Sequence, residues 1–271
     1  MGNKTDRIAE IRRGGVGWWR AVPHASDAGG NNVHMTTLAR DSDVANLINV
    51  HNHGHVHLED SMGSDLHIVN NARVSFDQES DEFTAKERGL LNFLMRERHG
   101  SPWESVVFRF DVKAPIFVIR ELVRHRISSM NEQSARYSVI PSHYYVPERE
   151  YVREQVGKPG SYSFDPISDP AVVDETIETI ERVQREAFAA YDRLLELGVA
   201  KELARTVLPV GMYSRFKWTL NLRALFNFLQ LRNHEHAQRE MRDYAAAIEE
   251  LAKQVAPVAF EVFEANGRVC P

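Results

Sequence analysis

Asn221, Leu225, Phe228, Arg232 and His236 recur at helical spacing, on one stripe of a helix with about 3.6 residues per turn. Leu225 and Phe228 make that stripe a buried one. The pattern predicts one or two helices over Thr219 to Gln254. Val106-Val107-Phe108-Arg109-Phe110 alternates and is β-branched or aromatic, so it predicts a strand. Pro115 opens a helix through Val123. Thr84 and Glu87 fit a capping box, and Gly100 sits where that helix is expected to stop. Asp169-Pro170 starts a long amphipathic helix that Gly198 ends. A further helix spans Ala200 to Leu208 before Pro209, and Pro257 precedes a last short one. Leu66 to Phe76 reads as a strand-like stretch followed by the polar run Asn70-Asn71-Ala72-Arg73, and Pro141 to Arg149 as irregular or extended. The fold class is α+β, with helix in the majority and a small, mainly antiparallel sheet.

The first sixty residues break this pattern. Met1 to about Asp60 carries Gly14-Gly15, Gly29-Gly30 and little periodicity, so residues 1–60 are expected to form a weakly ordered extension before a main domain at 61–271. His51, His53, His55 and His57 recur at period two. On a strand they would share one face, as a metal site could use; with no cysteine and few rigid supports nearby, a polar linker without metal is the reading adopted.

Composition narrows the function classes. The 271 residues suffice for one large domain, or a domain plus an appendage, and 43% hydrophobic residues can bury a core. A net charge of −5 argues against general nucleic-acid or membrane affinity while leaving room for a local basic pocket. No apolar run is long enough for a membrane span, and Met1 to Arg20 is polar and basic, unlike a secretory signal. Cys270 is the only cysteine. Disulfides within the chain are therefore excluded, a cytoplasmic setting is expected, and a penultimate residue is expected to be too mobile for a catalytic thiolate.

Two segments carry candidate chemistry. Arg120, Arg124, Arg126 and Arg136 enclose His125, Glu121, Glu132, Asn131, Gln133 and Ser134. Arginines at Arg120 and Arg124 share a helix face if the helix continues, and an anion would relieve their repulsion. Ser134 and Arg136, two apart, point the same way in an extended segment and could hold a phosphate. A solvated charged face is the alternative. On the second segment, Arg232 and His236 fall on the apolar stripe, where an unpaired charge is costly. Either a ligand satisfies them, or Arg232 pairs with a structural carboxylate and His236 is a core histidine. Arg223 and Asn227 face another side, free to serve a neighbouring subunit.

These residues resemble the signature of the flavin-dependent thymidylate synthases. The match runs Arg-His-Arg-Ile-Ser-Ser-Met-Asn-Glu-Gln-Ser-Ala-Arg-Tyr-Ser over residues 124–138. It continues at Asn71 to Ser75, at His99-Gly100-Ser101-Pro102, at Ala204 to Pro209 and over Trp218 to Gln238, covering about 200 residues from roughly Asp65 onward. The resemblance implies reductive methylation of dUMP to dTMP, with 5,10-methylenetetrahydrofolate as carbon donor and FAD carrying a hydride from NADPH. It implies Ser101, Arg124, His125, Arg126, Glu132, Asn221, Asn227 and His236 as FAD contacts, with His99 close by. Glu121, Arg124, Gln133, Ser134, Arg136 and Arg205 are implied at the dUMP site. Arg232 is implied as the residue that polarises the uracil ring at its N3 side. The resemblance also implies a homotetramer whose active sites draw on several chains. Glu121 stands where many members have glutamine.

The lack of a usable thiol agrees with a mechanism that does not attack the uracil through cysteine. Ser134 has no adjacent base in the sequence and is assigned to substrate binding rather than nucleophilic attack. A nucleic-acid-binding module using the arginine cluster is disfavoured by the acidic balance and by the absence of aromatic–basic interleaving around Arg124. A flavin-binding relative without methyl transfer is the third reading.

Overall fold

The alternating run expected near Val106 forms the middle of a sheet. In a computed structural model, which describes residues 46–158 and 161–271, strand β3 spans Val107–Pro115. It pairs antiparallel with β2 (Gly54–Met62) on one side and with β7 (Tyr213–Asn221) on the other. β1 (Leu47–Val50) and β4 (Ser129–Glu132) complete the antiparallel order β1-β2-β3-β7-β4. Phe108, Phe110, Val112 and Ala114 alternate inward from β3, as do Phe216, Trp218 and Leu220 from β7. Helices α1 (Asp65–Arg73), α2 (Ala85–Arg96), α6 (Leu222–Arg232), α7 (Arg239–Lys253) and α8 (Pro257–Ala265) bury side chains in the same core.

Several local signals hold. Thr84 and Glu87 close the capping box: the Glu87 carboxylate accepts from the Thr84 backbone N–H at 3.1 Å, and the Thr84 hydroxyl accepts from Lys86 N. Thr84→Ala is expected to cost about 1 kcal/mol, read as a lower urea midpoint with unchanged m. An unaltered midpoint would show that the buried Glu87–Arg73 ion pair (2.9 Å) fixes this turn alone. Helix α3 (Ile116–Leu122) follows Pro115, and α4 (Pro170–Glu196) is capped by Asp169, whose carboxylate accepts from Ala171 N at 2.9 Å. Gly198 follows α4 with φ of 77°, a left-handed turn that suits glycine.

Other expectations are corrected. Leu66 to Phe76 is no strand; it is α1 followed by a 3-10 turn (Val74–Phe76). Ile68 and Val69 are buried one after the other on the core side, and Asp65 accepts backbone N–H groups from Val258 and Ala259 at 3.0 and 2.8 Å, capping α8. Thr219 to Asn221 ends β7 rather than starting a helix, because Trp218 and Leu220 continue the inward alternation. Helix α2 stops at Arg96, with Arg98 in the left-handed region, before Gly100 is reached. The expected Ala200–Leu208 helix is the short α5 (Lys201–Ala204) plus a 3-10 turn (Arg205–Val207). A separate hairpin, β5 (Arg153–Lys158) with β6 (Ser161–Pro166), stands apart from the main sheet.

Of the expected extension, residues 1–45 lie outside the described residues. From 46 onward the chain is folded into the sheet: β1 and β2 form its edge, and Val50, Val56 and Leu58 are in the core. The histidines are dispersed. His51 sits edge-on to Tyr145 at 5.3 Å, His53 stacks on His143 at 4.6 Å, and His55 faces Asp111 at 3.7 Å.

A second, smaller core joins α4 to the segment after β4. Phe188 and Tyr191 of α4 pack with Ala135, Ile140 and Ala204, and the Tyr191 hydroxyl accepts from Ile140 N at 3.2 Å. It fixes the backbone that carries Ser134 and Arg136.

Candidate functional site

Arg232 ends helix α6, and its neighbours come from more than a hundred residues away in sequence. Its Nη1 donates to Glu121 Oε2 at 2.8 Å, and its Nε donates to His125 Nε2 at 3.1 Å. Glu121 is in the last turn of α3, and His125 follows that helix. The His125 ring stands edge-on to Phe228 at 5.0 Å, and Phe228 in turn meets Trp218 at 5.1 Å. Burial, assisted by the Arg232 charge, pushes the His125 pKa down to about 4. The ring is therefore neutral near pH 7, with Nε2 as acceptor and the proton on Nδ1. Burial raises the Glu121 pKa and Arg232 opposes the shift, which leaves a half-buried ion pair braced by a neutral imidazole.

This arrangement predicts a pH effect. Below pH 6.5 the unfolded chain protonates at His125 while the folded one does not until about pH 4, so this site loses stability as pH falls through that window. Urea midpoints between those limits should decline less steeply for His125→Asn than for the unaltered protein; equal slopes would rule the buried imidazole out as the cause.

Arg124, Arg126, Ile127, Asn227 and Leu231 join Arg232 around a cavity of about 300 Å³. Arg124 and Arg126 make no ion pair among the described residues, so two guanidiniums face this space uncompensated, beside the apolar Ile127 and Leu231. Such walls suit an anionic ligand with an apolar or aromatic part. Arg232 and Glu121 also border a second cavity of about 900 Å³.

The remaining predicted residues, His236 apart, lie outside both cavities. Gln133, Ser134 and Arg136 flank Ala135, and Arg205 follows Ala204, both in the smaller core; none of the four lines either cavity. Arg136 pairs with Glu202 at 3.1 Å, both exposed, and Ser134 Oγ accepts from Arg136 N at 3.3 Å without a basic partner. Glu132 ends β4, opposite Phe216. His99 and Ser101 flank Gly100 at the start of a 3-10 turn (Ser101–Ser105). The Arg223 guanidinium occupies the space a Gly100 side chain would fill, and it donates to Glu104 at 2.8 Å. Asn221 caps α6, its Oδ1 accepting from Ala224 N at 2.9 Å, which leaves Nδ2 free for a ligand.

Two site expectations are corrected. His236 is not on the buried stripe: α6 stops at Arg232, and His236 lies in the following loop with 79% of its side chain exposed. Asn233, at the helix end, donates to Glu249 at 2.7 Å and turns the chain away. Cys270 is not loose either. Its backbone N–H donates to Gln230 at 2.9 Å, and burial pushes its thiol pKa up, which keeps it protonated and unreactive. The carboxylate partner that the sequence left open for Arg232 is Glu121, which sequence reasoning did not name; it also missed the ring of Phe228 beneath His125 and the hairpin wall of the larger cavity.

The pattern of one protein family, Thy1, "Thymidylate synthase complementing protein", matches residues 57–258. The "Flavin-dependent thymidylate synthase" of Kosmotoga olearia is 44% identical over 212 residues, covering 78% of this chain and 90% of the relative. A protein of the same description from Thermus thermophilus is 45% identical over 211 residues, covering 78% and 76%. Among solved structures, a UMP/dUMP methylase, PolB of Streptomyces cacaoi, bound with 5-Br dUMP, superposes with a TM-score of 0.76 at 42% identity, covering 83% of this chain and all of that one.

Proposed function

The chain belongs to the Thy1 family of thymidylate synthase complementing proteins, and from that premise we propose that it is a flavin-dependent thymidylate synthase that methylates dUMP at carbon 5. The carrying observation is Arg232, fixed between Glu121 and a neutral His125 on the wall of a cavity with two uncompensated arginines. FAD, when bound, carries the hydride that NADPH supplies, while 5,10-methylenetetrahydrofolate supplies the carbon.

The residues fit that cofactor in part. At about 300 Å³ the cavity lies at the low end of small-molecule sites, room for part of a dinucleotide. Arg124 and Arg126 hold its phosphates, with His125, Asn227, Ser101, Asn221 and Glu132 as further contacts and His99 and His236 at the margin. Ser134, Arg136, Arg205 and Gln133 hold the dUMP phosphate and sugar, with Arg124 near the base. Glu121 serves that site through Arg232, which it already binds. Arg232 places a fixed positive charge at the N3 side of the uracil. It stabilises the charge that builds on the ring as carbon 5 becomes nucleophilic. Ser134, Arg136 and Arg205 share no cavity with Arg232 among the described residues, which supports a site assembled from several chains, as in the homotetramer proposed here.

Purified protein should be yellow, with flavin absorbance bands, and should release tritium from carbon-5-labelled dUMP when folate and NADPH are present. Colourless protein that takes up no FAD would sink the proposal, and flavin without tritium release would leave a flavin-binding relative lacking methyl transfer. Labelled UMP assayed in parallel tests the ribonucleotide reading that the name of the Streptomyces enzyme raises.

A further inference from the structure

His51, the first of the histidine run, has a side chain only 4% exposed. It sits at the turn from β1 to β2 with φ of 56°, in the left-handed region that non-glycine residues seldom take. Its Nε2 is buried without a hydrogen-bond partner. Three tyrosine rings enclose the imidazole: Tyr145 at 5.3 Å, Tyr244 at 5.7 Å and Tyr151 at 5.8 Å. Their hydroxyls are committed elsewhere. Tyr145 donates to Glu240 at 3.0 Å, Tyr151 to Asp243 at 3.2 Å, and Tyr244 to the Lys113 carbonyl at 2.9 Å. Asp243 Oδ2 faces Nε2 at 3.6 Å, beyond hydrogen-bond reach. A ring that is buried, unsatisfied and held on a left-handed backbone costs stability unless a ligand completes it.

His51 and Asp243 line a cavity of about 290 Å³ bounded by β1 and α7. Ile48, Ala246 and Ala247 give it an apolar side, and Glu148 and Glu250 bring two more carboxylates. None of the described lysines and arginines lines it. Arg239, one turn earlier on α7, approaches Asp243 at 3.4 Å and answers that charge. Glu148 and Glu250 make no ion pair among the described residues. Two exposed carboxylates alone would mark nothing more than a solvated face. The unused ring nitrogen on the same cavity points to a ligand, and the open carboxylates give it a positive charge.

We propose that this cavity binds a small aliphatic diamine in its doubly protonated form. One ammonium group fits between Nε2 and Asp243, because it carries three donors and no acceptor. In the tautomer protonated at Nδ1, the His51 ring offers it a lone pair at Nε2. The tyrosine rings around His51 favour a cation close by. The methylene chain lies along Ile48, Ala246 and Ala247, and the second ammonium is drawn to Glu148 and Glu250. At about 290 Å³ the cavity is at the low end of small-molecule sites, so the ligand is short. None of the residues assigned to flavin or dUMP lines it, and the proposal stands independently of the flavoenzyme reading.

The test titrates 1,4-diaminobutane calorimetrically into the full chain. A saturable curve is expected, with a urea midpoint that rises with the diamine concentration. n-Butylamine, which lacks the second charge, should bind more weakly. His51→Asn removes Nε2 while keeping a residue that tolerates the left-handed turn, and it should weaken the diamine about tenfold or more. Glu250→Gln, on the exposed side of α7, should weaken it about two- to fivefold and covers the case in which His51→Asn fails to fold. Absence of saturable binding would overturn the proposal, as would equal affinity in the unsubstituted protein and both variants. Magnesium chloride at matched ionic strength supplies the last arm. A hydrated magnesium ion takes nothing from Nε2. If it competes with the diamine on equal terms, the cavity is a general attractor of cations and the proposal falls.

Discussion

Replacing Arg232 by alanine is expected to lower kcat roughly 10²–10³-fold, the usual cost of removing one preorganised donor from a developing charge. The guanidinium is held from two directions, by Glu121 at 2.8 Å and His125 at 3.1 Å, so it needs no reorganisation as the reaction proceeds. Flavin should remain largely bound, because Arg124, Arg126 and Asn227 still line the smaller cavity. Lysine is not expected to rescue turnover: an ammonium is a point charge that cannot keep the two-sided geometry. Loss of activity with KM for dUMP little altered marks an interaction made in the transition state. Turnover within a few-fold of the unsubstituted enzyme would remove Arg232 from the activating role and leave the Glu121 pair as structural.

Phe228→Ala should have the largest effect on stability, about 3–5 kcal/mol, through lost burial and the cavity left behind. Phe228 is completely buried and stands between the Trp218 and His125 rings. Its removal takes the support from beneath His125 and frees the imidazole that braces Arg232. Urea unfolding should show the destabilisation, and the surviving folded protein should bind flavin more weakly. Phe228→Leu keeps most of the apolar volume, so it should recover most of the stability while recovering less of the flavin affinity. Equal recovery of both would mean that packing volume, and not the ring edge, positions His125.

Features set by a few neighbouring residues were legible in the sequence. Thr84 with Glu87, Asp169 with Pro170, and Gly198 each act within one helical turn, and all three appear where expected. The β3 alternation was legible because its inward side chains are apolar almost without a break. What escaped depended on distant partners. Asn70 and Asn71 are weak helix formers, yet α1 forms because Ile68 and Val69 reach the core and Asp65 finds the N-terminus of α8. The β5–β6 hairpin has only the Pro159-Gly160 dipeptide as a turn signal, between strands with little apolar alternation. The resemblance supplied the identities of the candidate site residues. Only the structure pairs Glu121 with Arg232, since no periodicity relates positions 111 residues apart.

The edge formed by β1 and β2 bears on how this protein tolerates shortening. By composition residues 1–60 read as a weakly ordered extension, but a chain begun at residue 61 would lose most of β2. The backbone N–H and C=O groups of β3 that β2 now satisfies from Gly54 to Met62 would open to solvent as a bare row. Phe108, Phe110 and Val112 lie along that same strand. An uncovered apolar strand of this length is a template for pairing between molecules. A version starting at residue 61 should therefore precipitate or run as large aggregates on gel filtration. One starting at residue 46 should elute as a discrete species, and aggregation of both versions alike would show that the shield lies further upstream.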